Sequence, residues 1–560
     1  MKKKSLILTN IKNLKTNEDI EYFSLGKWVE DKNLERCKHP IMKEVNSTDL
    51  KKIEKKTTIF YEYFLEKLSV SLNKIHHINK SKKEWELVIG NWLRLFIEII
   101  LARIHLLSRL NLNNYNEVHI TEYEHLKPYN FISFNRAEFS RLVENSIGWN
   151  QYIFSKIVRY YKNKNSSKFI TTHHKRQIEK KSRYKKISYL SDNLRKYLFK
   201  LSSYFASCFA IERRVIFSFS WLSIINIIRL SIKIGKVPII YFQEENRVSI
   251  KRVNRKLRKK LFEDNFNDIN TIKDQKILLT YLVTEQLPMC YLENWNFLKD
   301  ELKVKKIPLA KLILAGNGSD NDDVFRLFIS NNYKNLKYII FQHGGVYGLS
   351  PTGYKGEFYE HRVADKWISW GWEKNNFKNV IPGFNLKNLN RKKIFDKKAK
   401  DILLPLPYFS NSPTRIASSE INQTLDSIFE IINNLKEGIG QHVKLRAFPD
   451  QRNKMLINSM VNKNYVSQEA NFYDSLKVSR LHLSIVNATT YLESLNLNFP
   501  TIILFEKKHL YIRKSVYRDF LKLKEVGIFY ENSDDLIAFI NNNYFSIEKW
   551  WNSKKLQKVK

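Results

Sequence analysis

The sequence predicts an α/β protein built of two Rossmann-like domains that face a cleft, with a helix-rich N-terminal portion. Short apolar runs alternate with helical patterns from about residue 276 onward, which is typical of parallel sheets. A polar, lysine-rich segment at residues 381–400 interrupts this alternation, and helical spacing dominates the first third of the chain. We therefore predict an N-terminal domain over residues 1–385 and a C-terminal domain over residues 386–560.

The elements of the first part are mostly predicted helices. Residues 60–68 and 85–107 repeat apolar side chains at i, i+3 and i+4, as expected for helices that pack on a core. The apolar run at residues 215–228 is too short to cross a bilayer and predicts a buried helix or a pair of strands. Two basic segments, residues 161–186 and 251–260, are expected on the surface, the second as an exposed helix face, and both are candidates for contact with anionic lipid.

The middle of the chain carries the first strand–helix alternation. Strands are predicted at residues 277–282, 311–315 and 338–341, with a helix over residues 323–332. The alternation restarts after the linker and predicts a second sheet of about five strands. Its strands are predicted at residues 401–405, 443–446, 481–486, 500–505 and 526–530, and its helices at residues 425–435, from 487 onward, and after Ser533, which would cap the last helix.

The composition excludes several classes of protein. Hydrophobic residues make up 43% of the 560 residues, which is enough for a sizeable core and excludes a disordered chain. Three widely separated cysteines exclude a disulfide scaffold and a four-thiolate zinc site, and they fit a reducing compartment. The apolar run after Met1 is too short for a signal peptide. We expect a cytoplasmic protein that touches the inner membrane peripherally.

The formal net charge of +40 comes from 96 Lys and Arg against 56 Asp and Glu. These basic residues are spread over the whole chain, together with heavy use of Asn and Ile, which favours a compositional bias over a dedicated nucleic-acid groove. The part of the positive charge that compositional bias does not explain favours anionic partners, such as phosphorylated substrates or an acidic membrane face. Nucleic-acid binding stays open as an alternative, and it predicts steeply salt-dependent binding to any duplex.

The strongest local signal follows the strand predicted at residues 338–341. This strand would deliver Gln342 and His343 to its carboxyl end, where the paired Gly344 and Gly345 allow a tight turn or a close approach to a ligand. A histidine there can act as a general base or donate to phosphate and hydroxyl oxygens. The alternative is that His343 only caps the strand.

Further polar residues lie downstream of this motif. Glu360 and His361 are candidates to line the same pocket, whereas the tryptophans at residues 367, 370 and 372 are interpreted as aromatic core. Arg446 ends a predicted strand, where it suits a phosphate, with a salt bridge to Asp450 as the alternative.

The helix predicted from residue 487 offers free N–H groups and a positive dipole end to an anion. Thr489 and Thr490 would add hydroxyl donors to a nucleotide phosphate, and Glu493 would accept from ribose hydroxyls. An Asn/Thr-x-x-Glu capping box is the alternative for Thr490 and Glu493.

Metal ligands and common nucleotide motifs are poorly supported. The pairs at residues 76–77 and 173–174 are adjacent histidines without helical ligand spacing. Asp320, Asp322 and Asp323 are interpreted as a solvated turn in preference to a divalent-ion site. The sequence has no Walker loop, no Gly-x-Gly-x-x-Gly after a strand and no Gly-x-Ser-x-Gly elbow. We expect no metal.

Five segments occur together in order at residues 23–28, 72–76, 90–93, 342–348 and 364–372. With them the chain resembles the transferase family found in bacterial O-antigen and surface-polysaccharide gene clusters. The Gln-His-Gly-Gly-x-Tyr-Gly piece at 342–348 and the Trp-Gly-Trp piece at 370–372 are the most specific parts. The chain departs from the family pattern at Val29, where a cysteine would follow Trp28, and at Ala447 and Phe448, where Leu and Tyr are usual.

The second half also resembles, more distantly, the capsule-polysaccharide and glycerophosphate transferases of the two-domain glycosyltransferase type. That resemblance implies a GT-B-like arrangement with an acceptor domain at residues 1–385 and a nucleotide-donor domain at residues 386–560. It implies that His343 is a catalytic-site residue, and the places of Gln342 and Glu360 in the sequence make them further catalytic candidates. Substrate and donor contacts are expected from Gly344, Gly345, Tyr347, Arg446, Asn487, Thr489, Thr490 and Glu493.

The sequence thus predicts a metal-independent glycosyltransferase-like enzyme that moves a sugar, or a polyol-phosphate, to a bacterial surface polysaccharide such as the O-antigen of lipopolysaccharide. A nucleotide-sugar donor would be the co-substrate, without a further cofactor, and a glycan or lipid-linked glycan would be the acceptor. Arg446 and the helix start at Asn487 would stabilise the leaving diphosphate. No specific nucleic acid is expected as a partner. The alternative is a non-catalytic scaffold of a polysaccharide assembly complex.

Overall fold

The structure, a computed structural model, describes residues 2–7, 17–24, 47–109, 111–123, 131–162, 168–174, 192–219, 221–243, 253–266, 274–317, 321–350, 356–373, 377–388, 394, 396, 398–409, 421–506 and 512–560. Over these ranges the chain is mixed α/β, and its strands form three sheets of four, six and five strands. All pairs of neighbouring strands in these sheets are parallel. The predicted α/β class is confirmed.

The N-terminal sheet has the strand order β2-β1-β3-β4 and lies in the portion that the sequence predicted to be helix-rich. Its strands are β1 Lys3–Ile7, β2 Ile20–Ser24, β3 Glu117–Tyr123 and β4 Lys168–His174, and the helices of this region are α1 Ser47–His76, α2 Lys82–Arg109, α3 Arg136–Asn145 and α4 Ile147–Lys162. The two predicted helices are confirmed as α1 and α2. The sheet itself was not predicted, and β4 lies within the basic segment interpreted as a surface loop or helix, of which residues 163–167 and 175–186 lie outside the described residues.

The central sheet has the strand order β10-β9-β8-β7-β5-β6. Its strands are β5 Arg214–Ser218, β6 Val237–Ile240, β7 Leu312–Ala315, β8 Lys337–Phe341, β9 Lys366–Ser369 and β10 Val380–Pro382. The helices of this part of the chain are α5 Asp192–Ser207, α6 Ile224–Lys233, α7 Arg255–Phe266, α8 Asp274–Gln286, α9 Trp295–Lys305, α10 Asp323–Asn332 and α11 Glu357–Val363. We refer to this sheet with α5, α6, α10 and α11 as the central lobe. Helices α7, α8 and α9 place their buried side chains in the core of the N-terminal helices instead.

Three predictions for this part of the chain need correction. Residues 277–282 were predicted as a strand but lie inside α8, because that helix buries Leu278, Leu279 and Leu282 in the core and so shows a continuous apolar run instead of an amphipathic one. Residues 215–228 were predicted as a buried helix or a pair of strands, whereas they contain the buried strand β5 and the first part of α6, which leaves Ile225 and Ile228 exposed.

The third correction concerns the basic segment 251–260, which was expected to be an exposed helix face. Helix α7 is present and its lysines are exposed, but Arg258 is buried. The guanidinium of Arg258 donates to both carboxylate oxygens of Glu293, at 2.7 Å each, and to the carbonyl oxygen of Leu287 at 2.9 Å. This arginine therefore stabilises the core of the chain instead of facing solvent.

The aspartates interpreted as a solvated turn are likewise buried. Asp322 caps the N-terminus of α10, where it accepts from the backbone N–H of Phe325 at 2.9 Å. Asp323 is fully buried and paired with Arg326. Asp320 lies outside the described residues. In the described part of the chain no three His, Cys, Asp or Glu side chains group together as metal ligands would.

The C-terminal sheet has the strand order β12-β11-β13-β14-β15. Its strands are β11 Asp401–Pro405, β12 Val443–Arg446, β13 Ser479–Ser484, β14 Thr501–Leu504 and β15 Phe529–Tyr530, and its helices are α12 Ile421–Asn433, α13 Gln451–Met460, α14 Phe472–Lys477, α15 Thr489–Asn496, α16 Lys514–Glu525, α17 Ser533–Asn543, α18 Ile547–Trp551 and α19 Lys554–Val559. The five predicted strands are confirmed. Asn532, one residue before the predicted cap, caps α17, which two further helices follow. This sheet with its helices is the C-terminal lobe.

The N-terminal helices hold α11 in place, and α11 carries part of the site described below. The hydroxyl of Tyr359 in α11 donates to the carbonyl oxygen of Leu87 in α2 at 2.8 Å. Arg362 at the end of the same helix pairs with Glu86 of α2 and, at 2.7 Å, with Glu62 of α1. Because these contacts span three helices, α11 cannot shift without disturbing the N-terminal core. Within the described residues, no helix is long and apolar enough to cross a bilayer.

Helix α15 is fixed to its sheet by a buried histidine. His482 of β13 is fully buried, and its Nδ1 lies 2.8 Å from the hydroxyl of Ser494 in α15. The hydroxyl of Thr501 in β14 donates to the same Ser494 oxygen, also at 2.8 Å. Burial lowers the pKa of His482 from 6.5 to about 3, so the ring is neutral at pH 7.

We expect the protein to lose stability in mild acid partly through His482. The unfolded chain binds this proton near pH 6.5 and the folded chain only near pH 3, so the stabilisation is complete above 6.5 and falls as pH decreases towards 3. At pH 5 the loss from this one residue is ~2 kcal/mol. Urea unfolding at pH 7 and pH 5 should show a smaller pH effect in His482→Asn than in the unmodified chain. An equal pH effect in both proteins would contradict the assignment.

Candidate active site between the central and C-terminal lobes

Three polar side chains form a chain of hydrogen bonds at the carboxyl end of β8. His343 follows the end of β8 by two residues, and its Nε2 lies 2.9 Å from the hydroxyl of Tyr347. That hydroxyl lies 3.0 Å from Oε1 of Glu360, whose Oε2 accepts from the indole N–H of Trp367 at 2.9 Å. The side chain of His343 is 10% exposed and that of Glu360 is 2% exposed. The histidine is thus held at the carboxyl end of β8, and the buried carboxylate of Glu360 lies behind it.

This chain of hydrogen bonds assigns the protons on His343. Tyr347 has one hydroxyl proton, which it donates to Glu360, so its oxygen accepts from Nε2–H of His343. The neutral imidazole then carries its lone pair on Nδ1. If Nδ1 takes up a proton, the carboxylate of Glu360, 3.9 Å from Nε2, stabilises the positive ring. The arrangement can therefore accept a proton from a hydroxyl group.

Gln342 has a different position from the one expected of a catalytic residue. Its side chain is buried, and its Oε1 accepts from the backbone N–H of Trp370 at 2.8 Å and from the indole of Trp372 at 2.9 Å. Its Nε2 donates to the carbonyl oxygen of Gly344 at 2.8 Å. Gln342 joins the turn that follows β8 to the tryptophans after β9. Trp367 is buried and belongs to the core, as predicted.

Gly348, the last glycine of the 342–348 motif, and Gly356, which was not singled out from the sequence, keep the network compact. A Cβ on Gly356 would collide with Oε1 of Glu360 and would lie 2.7 Å from the hydroxyl of Tyr347. Gly348 has a φ of +78°, which favours glycine, and a Cβ there would lie 2.7 Å from the Trp372 ring. Both positions therefore need a residue without a side chain. The contacts depend on the folded chain, so the sequence alone gave no sign of them.

The glycine pair after His343 meets the start of α15 from the other lobe. The backbone N–H of Gly345 donates to the hydroxyl of Thr489 at 3.0 Å. A Cβ on Gly345 would lie 2.7 Å from the carbonyl oxygen of Ala488 and 2.8 Å from Cα of Thr489, both of them backbone atoms. The structure thus brings together His343, Gly344, Gly345, Tyr347 and Thr489, which the sequence predicted to share a site.

We expect Gly345→Ala to weaken the contact between the lobes. The new methyl group meets two backbone atoms that cannot rotate away, so the lobes must separate slightly, at a cost of ~1–3 kcal/mol in unfolding free energy. Gly344→Ala is the matched control, because its Cβ would approach only side-chain atoms, the Tyr347 ring at 3.1 Å and Oγ1 of Thr489 at 4.0 Å. Urea unfolding of both variants measures the difference. Equal stabilities would show that residue 345 does not pack against α15.

An ion pair between the two lobes, of which the carboxylate is fully buried, was missed from the sequence. Arg513, which precedes α16, donates from Nη2 to Oε1 of Glu357 in α11 at 2.8 Å. The side chain of Glu357 is fully buried, and its Oε2 accepts from the backbone N–H of Gly348 at 3.0 Å. The backbone N–H of Arg513 also donates to the carbonyl oxygen of Leu349 at 2.8 Å. The turn after His343 is therefore held by the C-terminal lobe on two sides.

Glu493 pairs with the segment after β10 instead of standing free. Its Oε1 lies 3.4 Å from Nζ of Lys387, and its backbone carbonyl accepts from the side chain of Asn388 at 2.9 Å. Residues 386–388 thus connect the end of the central sheet to α15. A capping box at Thr490 and Glu493 was weighed from the sequence, but Ala488 is the cap residue and makes no side-chain capping bond. The reason is that the helix begins at Thr489.

The remaining predicted donor contacts differ in position. Thr490 has a buried Oγ1 that makes no hydrogen bond to any residue in the described ranges. Asn487 accepts from the hydroxyl of Tyr491 at 3.2 Å. The guanidinium of Arg446 donates within its own lobe, to the carbonyl oxygens of Glu469 and Ala470 and to the hydroxyl of Ser475. Arg446 therefore supports a loop of the C-terminal lobe, and it does not belong to the contact around Thr489.

The chain matches a protein-family model over almost its whole length and has weak similarity to a solved structure. A family model described as LIC12162 family transferase matches residues 4–560. Among solved structures, "Spinosyn Rhamnosyltransferase SpnG complexed with spinosyn aglycone" matches at 10% sequence identity and a TM-score of 0.29, over 62% of this chain and 94% of that chain. No curated protein matches the chain.

Proposed function

Since the chain belongs to the LIC12162 family of transferases, we propose that it is a glycosyltransferase-like enzyme. It moves a sugar, or a polyol-phosphate unit, from a nucleotide-activated donor to a glycan or lipid-linked glycan of a bacterial surface polysaccharide. The observation that carries this proposal is the position of His343. Its imidazole is backed by Tyr347 and Glu360 and lies two residues from Gly345, which bonds to Thr489 of the opposite lobe.

We place the acceptor on the central lobe and the donor on the C-terminal lobe, as two Rossmann-like units in a GT-B-like arrangement. Both lobes contain a parallel sheet, and ligands of such sheets bind at the carboxyl ends of the strands. His343 follows the carboxyl end of β8, and Asn487 to Thr490 follow the carboxyl end of β13. The two strand ends therefore supply the two halves of one site.

The proposed step moves one proton and exchanges one bond at the donor. In the transfer of a sugar, which is the case written out, the acceptor hydroxyl oxygen attacks the anomeric carbon of the donor while its proton passes to Nδ1 of His343. The bond from that carbon to the phosphate oxygen breaks, and the nucleotide leaves with the electron pair. Glu360 stabilises the protonated ring through its position 3.9 Å from Nε2. Gln342, Tyr347 and Glu360 act as positioning residues.

The leaving phosphates would be stabilised by groups of the chain itself. The N-terminus of α15 offers backbone N–H groups and the positive end of the helix dipole, and Thr489 and Thr490 add hydroxyl donors. We do not assign the stabilisation of the leaving phosphates to Arg446, because its guanidinium already donates to the loop at residues 469–475. On this basis we expect transfer without a metal ion, so activity should persist in a chelator.

Substrate entry requires the two lobes to separate. Gly345 bonds directly to Thr489, and the side chain of His343 is only 10% exposed, so this arrangement corresponds to closed lobes. We expect the contact around residues 345 and 489 to open, admit the donor and close again, which excludes water from the reaction.

A donor screen tests the proposed function. Each class of nucleotide sugar and nucleotide polyol is titrated in the presence of a chelator while thermal unfolding is monitored, and the stabilising class is then tested for nucleotide release with lipid-linked glycans. We expect one class to stabilise the protein, and stabilisation to fall in Thr489→Ala. Ser459→Ala, which removes an exposed hydroxyl from α13 of the same lobe, is the control. The proposal would be overturned if none of the nucleotide classes stabilised the protein.

A further inference from the structure

Helix α5 exposes a continuous stripe of large apolar side chains. Tyr197, Leu201, Tyr204 and Phe205 are 62%, 51%, 75% and 56% exposed. Their spacing of three or four residues places them on one side of the helix. Globular proteins rarely leave four such side chains together on a helix in contact with water. The stability of the fold therefore does not account for this exposed stripe.

The opposite side of α5 shows which way the stripe points. Ala206 is buried in the core of the central lobe, and Phe199 packs against that core. The hydroxyl of Ser202 accepts from the backbone N–H of Ile240 at 3.1 Å. Ile240 lies in β6, the last strand of the central sheet, so α5 covers the free edge of that sheet. Its apolar stripe consequently faces away from the lobe.

Helix α6 adds a second exposed apolar stripe beside the same strand. Ile225, Ile228 and Ile232 are 63%, 45% and 73% exposed, whereas Ile227 and Ser231 are buried. Helix α6 directly precedes β6 and packs on it, with Ile227 and Ile240 in one core cluster. Ile239 of β6 packs with α5 and Ile240 packs with α6, so the two helices flank the edge strand from its two faces, and both expose aromatic or aliphatic side chains.

Basic residues accompany both stripes. The exposed Lys196 and Lys200 lie on α5, and the exposed Arg229 and Lys233 lie on α6. After Asp192, the first residue of α5, neither helix contains an acidic residue. Cores of protein interfaces are depleted in lysine, whereas helices that lie on anionic lipid combine Lys and Arg with apolar residues that enter the headgroup region.

We propose that α5 and α6 form a lipid-binding surface that docks the central lobe on an anionic bilayer. The apolar stripes would insert into the headgroup boundary, while the lysines and arginines contact the phosphates of acidic lipids. The net charge of +40 attracts the whole chain to the same surface. This surface differs from the two basic segments for which lipid contact was predicted from the sequence. The proposal does not depend on the transfer reaction.

Vesicle sedimentation of the full chain tests this surface. Vesicles of phosphatidylcholine alone are compared with vesicles that also contain phosphatidylglycerol, at physiological salt. We expect binding to the second kind, and a loss of about tenfold in affinity in Tyr204→Ser/Phe205→Ser. Phe545→Ser, which removes a ring that is 77% exposed in the C-terminal lobe, is the matched control and should bind normally. Thermal unfolding confirms that each variant is folded.

A comparison of two triple variants distinguishes binding through this surface from the general electrostatic attraction of a basic protein to anionic lipid. Lys200→Gln/Arg229→Gln/Lys233→Gln should lose about tenfold or more in affinity, whereas Lys549→Gln/Lys554→Gln/Lys555→Gln, with the same charge removed from exposed C-terminal positions, should lose much less. Equal losses in the two triple variants would overturn the proposal. So would failure of the unmodified chain to bind, or a concentration-dependent dimer that Tyr204→Ser/Phe205→Ser abolishes, because a second copy would then occupy the stripe.

Discussion

We expect His343→Asn to lower the turnover of the transfer reaction by ~10²–10⁴-fold while leaving the fold and donor binding intact. The substitution removes the ring nitrogen proposed to take up the acceptor proton, and it exchanges the 10% exposed ring for a smaller polar side chain, so thermal unfolding must confirm that the variant is folded. His77→Asn is the matched control, because it makes the same change at an exposed histidine at the end of α1. Initial rates of nucleotide release, measured at saturating donor, compare the three proteins.

Two results of this experiment would contradict the proposed role of His343. If His343→Asn turned over at the rate of the unmodified chain, the histidine would be only a strand cap, which was the alternative interpretation of the sequence. If the variant lost donor binding as well as turnover, His343 would act on the donor and not on the acceptor proton. Donor titration followed by thermal unfolding distinguishes the two cases.

Arg513→Met is expected to destabilise the protein by ~3 kcal/mol, because it leaves the fully buried carboxylate of Glu357 without its cation. Lys522→Met is the matched control, since Lys522 lies in α16 and pairs with Asp519 on the surface, where an ion pair contributes ~0–1 kcal/mol. Urea unfolding measures both changes. Unaltered stability in Arg513→Met would show that the lobes are not joined through Glu357.

A double variant identifies the cause of that loss. Glu357→Gln/Arg513→Met should be more stable than Arg513→Met alone, because a neutral amide no longer needs the cation and its oxygen can still accept from the N–H of Gly348. If the double variant lost as much as the sum of the two single variants, the two side chains would not be coupled.

The parts of the fold that follow from local patterns could be predicted. Strand β8 and helix α10 were recognised from apolar runs and spacing, and His343 was singled out because a strand end and two glycines surround it. Helix α8 was predicted as a strand because a helix buried on several sides has no amphipathic period. The same ambiguity applies to any short apolar run.

The contacts between the lobes could not be predicted, because they join residues far apart in the chain. Nothing local to Arg513 indicates that it pairs with Glu357, 156 residues earlier. Arg446 was chosen for phosphate because it ends a strand, yet its partners come from the loop at residues 469–475, whose course the sequence does not show. Side chains at strand ends are therefore well located by sequence, whereas their partners are not.

Hydrogen exchange with the bound donor is the most direct test of the account. The backbone amides of residues 342–349 and of residues 487–493 are followed with and without the nucleotide that stabilises the protein. We expect slower exchange in both segments at once, because one ligand would be held between them. Slower exchange confined to one of the two segments, or to neither, would contradict a site shared by the two lobes. Protection by duplex DNA in place of any nucleotide would contradict it as well.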